Sequence, residues 1–220
     1  MRCLVAALGL LALPAVAFSQ GLSVSLGGGM ALSNYSGGFQ EDEFVDFDLE
    51  GRRVGMRFGL SLAIPVAQSM DIVIGAAYAQ QGDAGIASGN VDPADVIIDT
   101  YFVDISLESD YIEVPVLARY TYAPVHVFAG PYVGILVDCG LTSSFEGVTV
   151  GLECHEESDL GFRTVNFGIV VGAGLSVRVK GPVRAFVNSM YALGLTSLFE
   201  GEDSQLRAVT FEAGLSFALK

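Results

Sequence analysis

Residues 209–219, V-T-F-E-A-G-L-S-F-A-L, alternate without a break. Val209, Phe211, Ala213, Leu215, Phe217 and Leu219 fall on one face, and Thr210, Glu212, Gly214, Ser216 and Ala218 on the other. Side chains along a strand point to opposite faces with period two, so this stretch is a β-strand with one apolar face. Its length is that of a tilted strand crossing a bilayer, which takes about ten residues.

Seven further segments repeat the pattern, near 22–32, 54–66, 71–81, 110–122, 125–138, 164–179 and 183–194. In the cleanest, Val165, Phe167, Ile169, Val171, Ala173, Leu175, Val177 and Val179 form one face. The opposite face carries Gly, Ser and Asn with isolated charges. A solvated exterior would carry Lys, Glu and Thr; small residues suit the inside of a narrow barrel, and the continuous apolar face suits lipid. The connections alternate as well: long at 33–53, 82–109, 139–163 and 195–206, short at 67–70, 123–124 and 180–182. Short periplasmic turns, long outer loops and an even strand number define outer-membrane barrels. The chain therefore reads as all-β, an eight-stranded antiparallel up-and-down transmembrane β-barrel. Segment 97–106 is strand-like, which fits strands extended beyond the membrane, and the alternation of Asp46, Asp48 and Glu50 is strand-like too. Pro65, Pro115 and Pro131 fall inside strands, where loss of a ladder donor predicts a bulge or kink.

Composition excludes several classes. The sequence is 51% hydrophobic and only 16% charged, with 27 Gly and a mean hydropathy of +0.52, whereas soluble domains are about a quarter charged. A net charge of −14 excludes electrostatic binding to nucleic acid. All acidic residues except Asp71, Glu113 and Glu212 lie in or at the edges of the long connections, as expected where charge at the bilayer centre is costly. Met1-Arg2, the apolar run from Leu4 to Phe18 and the small residues after it read as a signal peptide, residues 1–19, with cleavage after Ala17 as the alternative. Cys3 would leave with it, and the barrel domain would be 20–220.

Tyr111-Ile-Glu-Val-Pro-Val-Leu-Ala-Arg-Tyr120 and Ala129-Gly-Pro-Tyr-Val-Gly-Ile-Leu136 resemble consecutive strands of the small outer-membrane β-barrel domain family common in Bacteroidetes-type bacteria. That family is also called porin-family or PorT-like, with barrels of the OmpX/OmpA kind. Glu212-Ala-Gly-Leu-Ser-Phe-Ala-Leu219 resembles the signal read by the barrel-assembly machinery. The resemblance implies an eight-stranded barrel and leaves the activity open.

Strand parity puts Arg57, Glu113, Arg119, Arg178, Arg184 and Glu212 on the lumen face, with His126, Asn166 and Asn188. An eight-stranded barrel has room only for side chains, so these form a polar network that plugs it, with Phe128, Tyr132 and Phe186 as filler. A narrow pore biased towards anions by the arginines is the alternative. Cys139 and Cys154 flank one long loop and are expected to pair as a disulfide. His155, among Glu153, Glu156, Glu157 and Asp159, could serve an outer-leaflet lipid or peptide hydrolase, but spacing supplies no triad, and a solvated acidic loop is the simpler reading. No calcium loop or cofactor motif is found, and no cofactor is expected. The functional expectation is a monomeric structural or interaction protein with long acidic outer loops, in contact with membrane lipids and lipopolysaccharide. A soluble ligand-binding barrel is the remote rival.

Overall fold

The computed structural model describes residues 21–36, 45–48, 52–89, 101–145, 148–153, 163–197 and 204–219. The signal-peptide expectation at 1–19, Cys154 and His155 lie outside the described residues. Among the described residues there are ten strands: β1 (Ser23–Ser36), β2 (Val45–Asp48), β3 (Arg53–Ala67), β4 (Met70–Gly89), β5 (Tyr101–Tyr122), β6 (Val125–Phe145), β7 (Val148–Glu153), β8 (Val165–Lys180), β9 (Val183–Ser197) and β10 (Gln205–Ala218). Eight of them close a barrel of antiparallel neighbours in the order β1-β3-β4-β5-β6-β8-β9-β10, and β10 pairs back onto β1. Closure leaves no edge inside the membrane, where an unpaired backbone group would cost several kcal/mol, of order 4–8.

The outward face is apolar all round. Leu26 pairs across the ladder with both Leu60 and Leu215, and the three are 57, 58 and 44% exposed. Large aliphatic side chains presented in a continuous band would be untenable in water and are at home in acyl chains. Two-residue turns close the short connections: Gln68–Ser69, Ala123–Pro124 with a cis peptide bond, and Gly181–Pro182. Gly181 has a φ of 57°, a left-handed conformation that glycine adopts without a Cβ clash.

At the opposite end the strands outrun the membrane. β4, β5 and β6 have 20, 22 and 21 residues, roughly 65–70 Å at the usual rise, against a hydrocarbon core of about 30 Å. The connection expected as a loop over 82–109 is instead mostly ladder, with Gly89 paired to Tyr101. β2 adds to β4, and β7 folds back onto β6. The result is a five-stranded sheet, β2-β4-β5-β6-β7, standing on one side of the rim.

The proline expectation holds at one place of three. Register shifts between Pro65 and Ala67. At Pro115, which pairs with Tyr132, and at Pro131, which pairs with Ile169, the register is kept. Rungs are skipped there instead: β5 has none to β6 between Pro115 and Ala118. Missing N–H groups thus leave gaps without an inserted residue, and Gly75 gives the Pro115 ring room, since a Cβ there would lie 3.2 Å from its Cγ.

Replacing Leu60 by Arg in the middle of the apolar band should cost ~2–4 kcal/mol of folding stability in lipid vesicles. The same change at Tyr122, which is 78% exposed beside the 123–124 turn, should cost about 0–1 kcal/mol. Urea titration of both variants measures the depth dependence.

Candidate functional site in the lumen

One rung of the barrel carries most of the interior polar chemistry. Its paired positions run His126, Gly174, Asn188, Glu212, Gly29, Arg57, Ala79 and Tyr111. Arg57 Nε donates to Glu113 Oε2 at 3.1 Å and its Nη1 donates to Glu212 Oε2 at 2.9 Å. Gln81 Nε2 donates to the second Glu113 oxygen at 2.7 Å. Arg57 and Glu113 are both buried, and buried charge persists only when paired and hydrogen-bonded. The guanidinium fork meets both demands from three strands, β3, β5 and β10.

Glycines make those reaches possible. Gly29 separates Arg57 from Glu212, and a Cβ there would sit 1.8 Å from the Phe211 carbonyl oxygen. Gly174 separates His126 from Asn188 in the same way. His126 Nε2 lies 2.8 Å from Asn188 Oδ1, and a Cβ on Gly174 would fall within 2.6 Å of both atoms.

Below this rung, towards the turns, the interior is hollow. A cavity of about 380 Å³ opens among the strand ends, with Arg57 and Glu212 at its inner end and Gly21, Gln68, Ser69 and Ala218 at its mouth. Arg119 Nε and Nη2 both donate to Asp71 Oδ2, at 3.0 and 2.9 Å. Arg184 donates through Nε and Nη2 to Ser176 Oγ at 3.1 and 2.8 Å, and is ion-paired with no carboxylate among the described residues. Arg178 is exposed at the rim, directly opposite Arg184 on the ladder. Phe128, Val170, Met190, Leu117 and Val73 pack as an apolar wall on one side.

On the outer side of the Arg57 clamp the lumen is solid. Tyr35, Leu107, Tyr111 and Leu206 are all buried and in mutual contact. Tyr35 O–H donates to Ser109 Oγ at 3.1 Å, and the Tyr35 N–H donates to Asp83 Oδ2 at 2.9 Å. Asp83 lies above the apolar band. Burial pushes its carboxyl up from the ordinary value, against the pull of the Tyr35 and Ala84 N–H donors.

The residues expected as one polar network therefore form separate clusters. Arg57, Glu113 and Glu212 make one; Arg119, His126 and Arg184 each bond elsewhere, while Arg178 stands at the mouth. Parity located each of them, and Ser176 on the same face, but it could not assign the partners Asp71, Gln81 and Ser176, because period two gives a face and says nothing of which strands meet. Asn166 is buried and accepts a hydrogen bond from Thr196 Oγ1 at 2.8 Å. Cys139 is buried.

Arg57→Ala should destabilise the barrel by ~3–5 kcal/mol, because two carboxylates would then face each other without a cation. Adding Glu113→Gln and Glu212→Gln should recover most of that loss. Urea midpoints in vesicles for the single and triple variants provide the check.

The family model for the outer membrane protein beta-barrel domain matches residues 18–200. No curated protein matches the chain. Among solved structures, Ail, the attachment invasion locus protein of Yersinia pestis, is 14% identical with a TM-score of 0.43, over 90% of this chain and 99% of that one. Neisserial surface protein A is 13% identical with a TM-score of 0.43, over 91% and 100% of the two chains. The outer membrane protease OmpT from Escherichia coli is 8% identical with a TM-score of 0.46, over 90% and 97%. The family match spans most of the chain and coincides with a closed barrel wearing an apolar belt: the protein belongs to the outer membrane protein beta-barrel domain family and resides in the outer membrane.

Proposed function

We propose that this protein is a non-conducting structural or interaction barrel that works through its outer face. The observation that carries this reading is the five-stranded sheet standing beyond the membrane. A chain that only had to span the bilayer would need about ten residues per strand; here ordered backbone is extended into the space where partners arrive. The acidic residues that the sequence places in the connections joined to that sheet suit divalent cations bridging to lipopolysaccharide phosphates. The barrel-assembly machinery would deliver the chain through its closing strand, β10.

The closed lumen supports the same reading. A solute entering from the turn side meets the Arg57 clamp between Glu113 and Glu212, and beyond it the cluster around Tyr35 and Tyr111. The proposed function involves no catalysis, and His126 lies within hydrogen-bond distance of Asn188. A disulfide between Cys139 and Cys154 would staple the base of the β6–β7 hairpin, whose last rung pairs Gly140 with Glu153, the residues adjoining the two cysteines.

In planar bilayers the wild-type protein should give no stable channels, and steady openings of uniform size that change with Arg119→Ala would overturn the plugged reading. On whole cells, added protease should cut within 90–100 and leave the 123–124 turn intact. Mass mapping of unreduced digests should recover the peptides of Cys139 and Cys154 joined, and two separate peptides would remove the staple.

A further inference from the structure

The hollow half of the lumen has chemistry that its plug does not use. A second rung crosses its wall, pairing Arg178 with Arg184, Arg184 with Ser216, Ser216 with Ser25, and Ser25 with Ser61. Two arginines thus occupy paired positions, Arg178 exposed at the rim and Arg184 lining the cavity, followed by three serines on adjacent strands. Like charges directly opposite each other destabilise a sheet pair. Neither arginine forms an ion pair with a carboxylate among the described residues, although the chain carries 25 acidic residues. The carboxylates lining the cavity are already engaged, Asp71 by Arg119 and Glu212 by Arg57. Ser25 is only 7% exposed, lines the cavity, and its hydroxyl bonds to no side chain among the described residues.

We propose that this blind cup is a binding site for a small phosphate monoester entering from the periplasmic side. A phosphoryl group has the charge to relieve the Arg178–Arg184 pair and enough oxygens to take both guanidinium forks together with neighbouring hydroxyls. A cavity of about 380 Å³ is within the range of small-ligand pockets. The apolar wall of Phe128, Val170 and Met190 would receive the organic part. Discrimination against cations follows from the uncompensated charge at the mouth, and binding should weaken as ionic strength rises.

Lipid headgroups of the inner leaflet also carry phosphoryl groups, and the test separates that source from the soluble monoester proposed. The full mature chain, folded in a phosphate-free maltoside detergent, is titrated calorimetrically with inorganic phosphate and with glycerol 3-phosphate. Saturable binding to glycerol 3-phosphate is expected, weakened about tenfold or more by Arg184→Gln and by Arg178→Gln. Arg178 is exposed at the rim, so its replacement should leave the folded, heat-modifiable gel band unchanged. Absence of saturable binding, or binding indifferent to both substitutions, would overturn the proposal. A response to phosphatidylglycerol bicelles alone, with both soluble phosphates inert, would overturn it equally, because the ligand would then be held at the rim and not in the cup.

Discussion

Everything inside this barrel is organised around the Arg57 guanidinium, which holds carboxylates from two other strands in a space too dry to leave any of the three alone. The cost of an unpaired buried charge, several kcal/mol and of order 3–5, exceeds what any other single interior contact can return. The clamp therefore fixes where β3, β5 and β10 sit relative to one another. It also requires a strand position with no side chain between Arg57 and Glu212, which Gly29 supplies. A Cβ at Gly29 would meet the Phe211 carbonyl oxygen and the Glu212 backbone, so bulk on the intervening strand would push the Glu212 strand away.

The same constraint divides the molecule along its axis. The short turns close one end of the barrel, and the surplus lengths of β4, β5 and β6 extend from the other, the end to which the sequence joins the connections rich in acidic residues. Charge in lipid must be matched group by group, and charge in water need not be. A chain with net charge −14 nonetheless keeps two arginines, Arg178 and Arg184, that form no ion pair among the described residues.

Much of this was legible in the sequence, and the reason is geometric. Period two in residues such as 165–179 and 209–219 fixes which side chains face lipid, so the eight membrane strands and the inward placement of Arg57, Glu113 and Glu212 follow directly. Partnership does not. Arg119 meets Asp71, and Arg57 meets Glu212 across β1, because of the stagger between strands. Stagger is set by closure of the whole sheet, not by any one segment. The outer strands were obscured for a different reason: beyond the membrane both faces meet water, so the alternation that marks β4 over 71–81 fades by Gly89. Pro115 and Pro131 misled because a missing donor can be absorbed by an empty rung as well as by a bulge. The likeness to a particular PorT-like group remains a likeness of motifs, while the family match reaches the barrel domain as a whole.

A plugged barrel would be expected to be filled from end to end, yet this one is solid around Tyr35 and Tyr111 and hollow around Arg184. The choice of side chains explains the asymmetry. At the outer end inward positions carry Tyr35, Leu107, Tyr111 and Leu206, large residues that meet at the centre. At the inner end the wall across β10, β1 and β3 is Ser216, Ser25 and Ser61 on one rung and Gly214, Gly27 and Gly59 on the next, too small to reach the axis. Packing density near that of a crystal is the rule for protein interiors; the glycine rung obeys it, since a Cβ on Gly27 or Gly214 would meet Glu212 or Phe186, whereas the serine rung borders open space. Small polar residues beside two arginines sacrifice that packing on one side alone. The loss is confined to the end that opens on the periplasm, so the plug and the hollow are separate features of one lumen, and closure towards the outside does not depend on filling the cup.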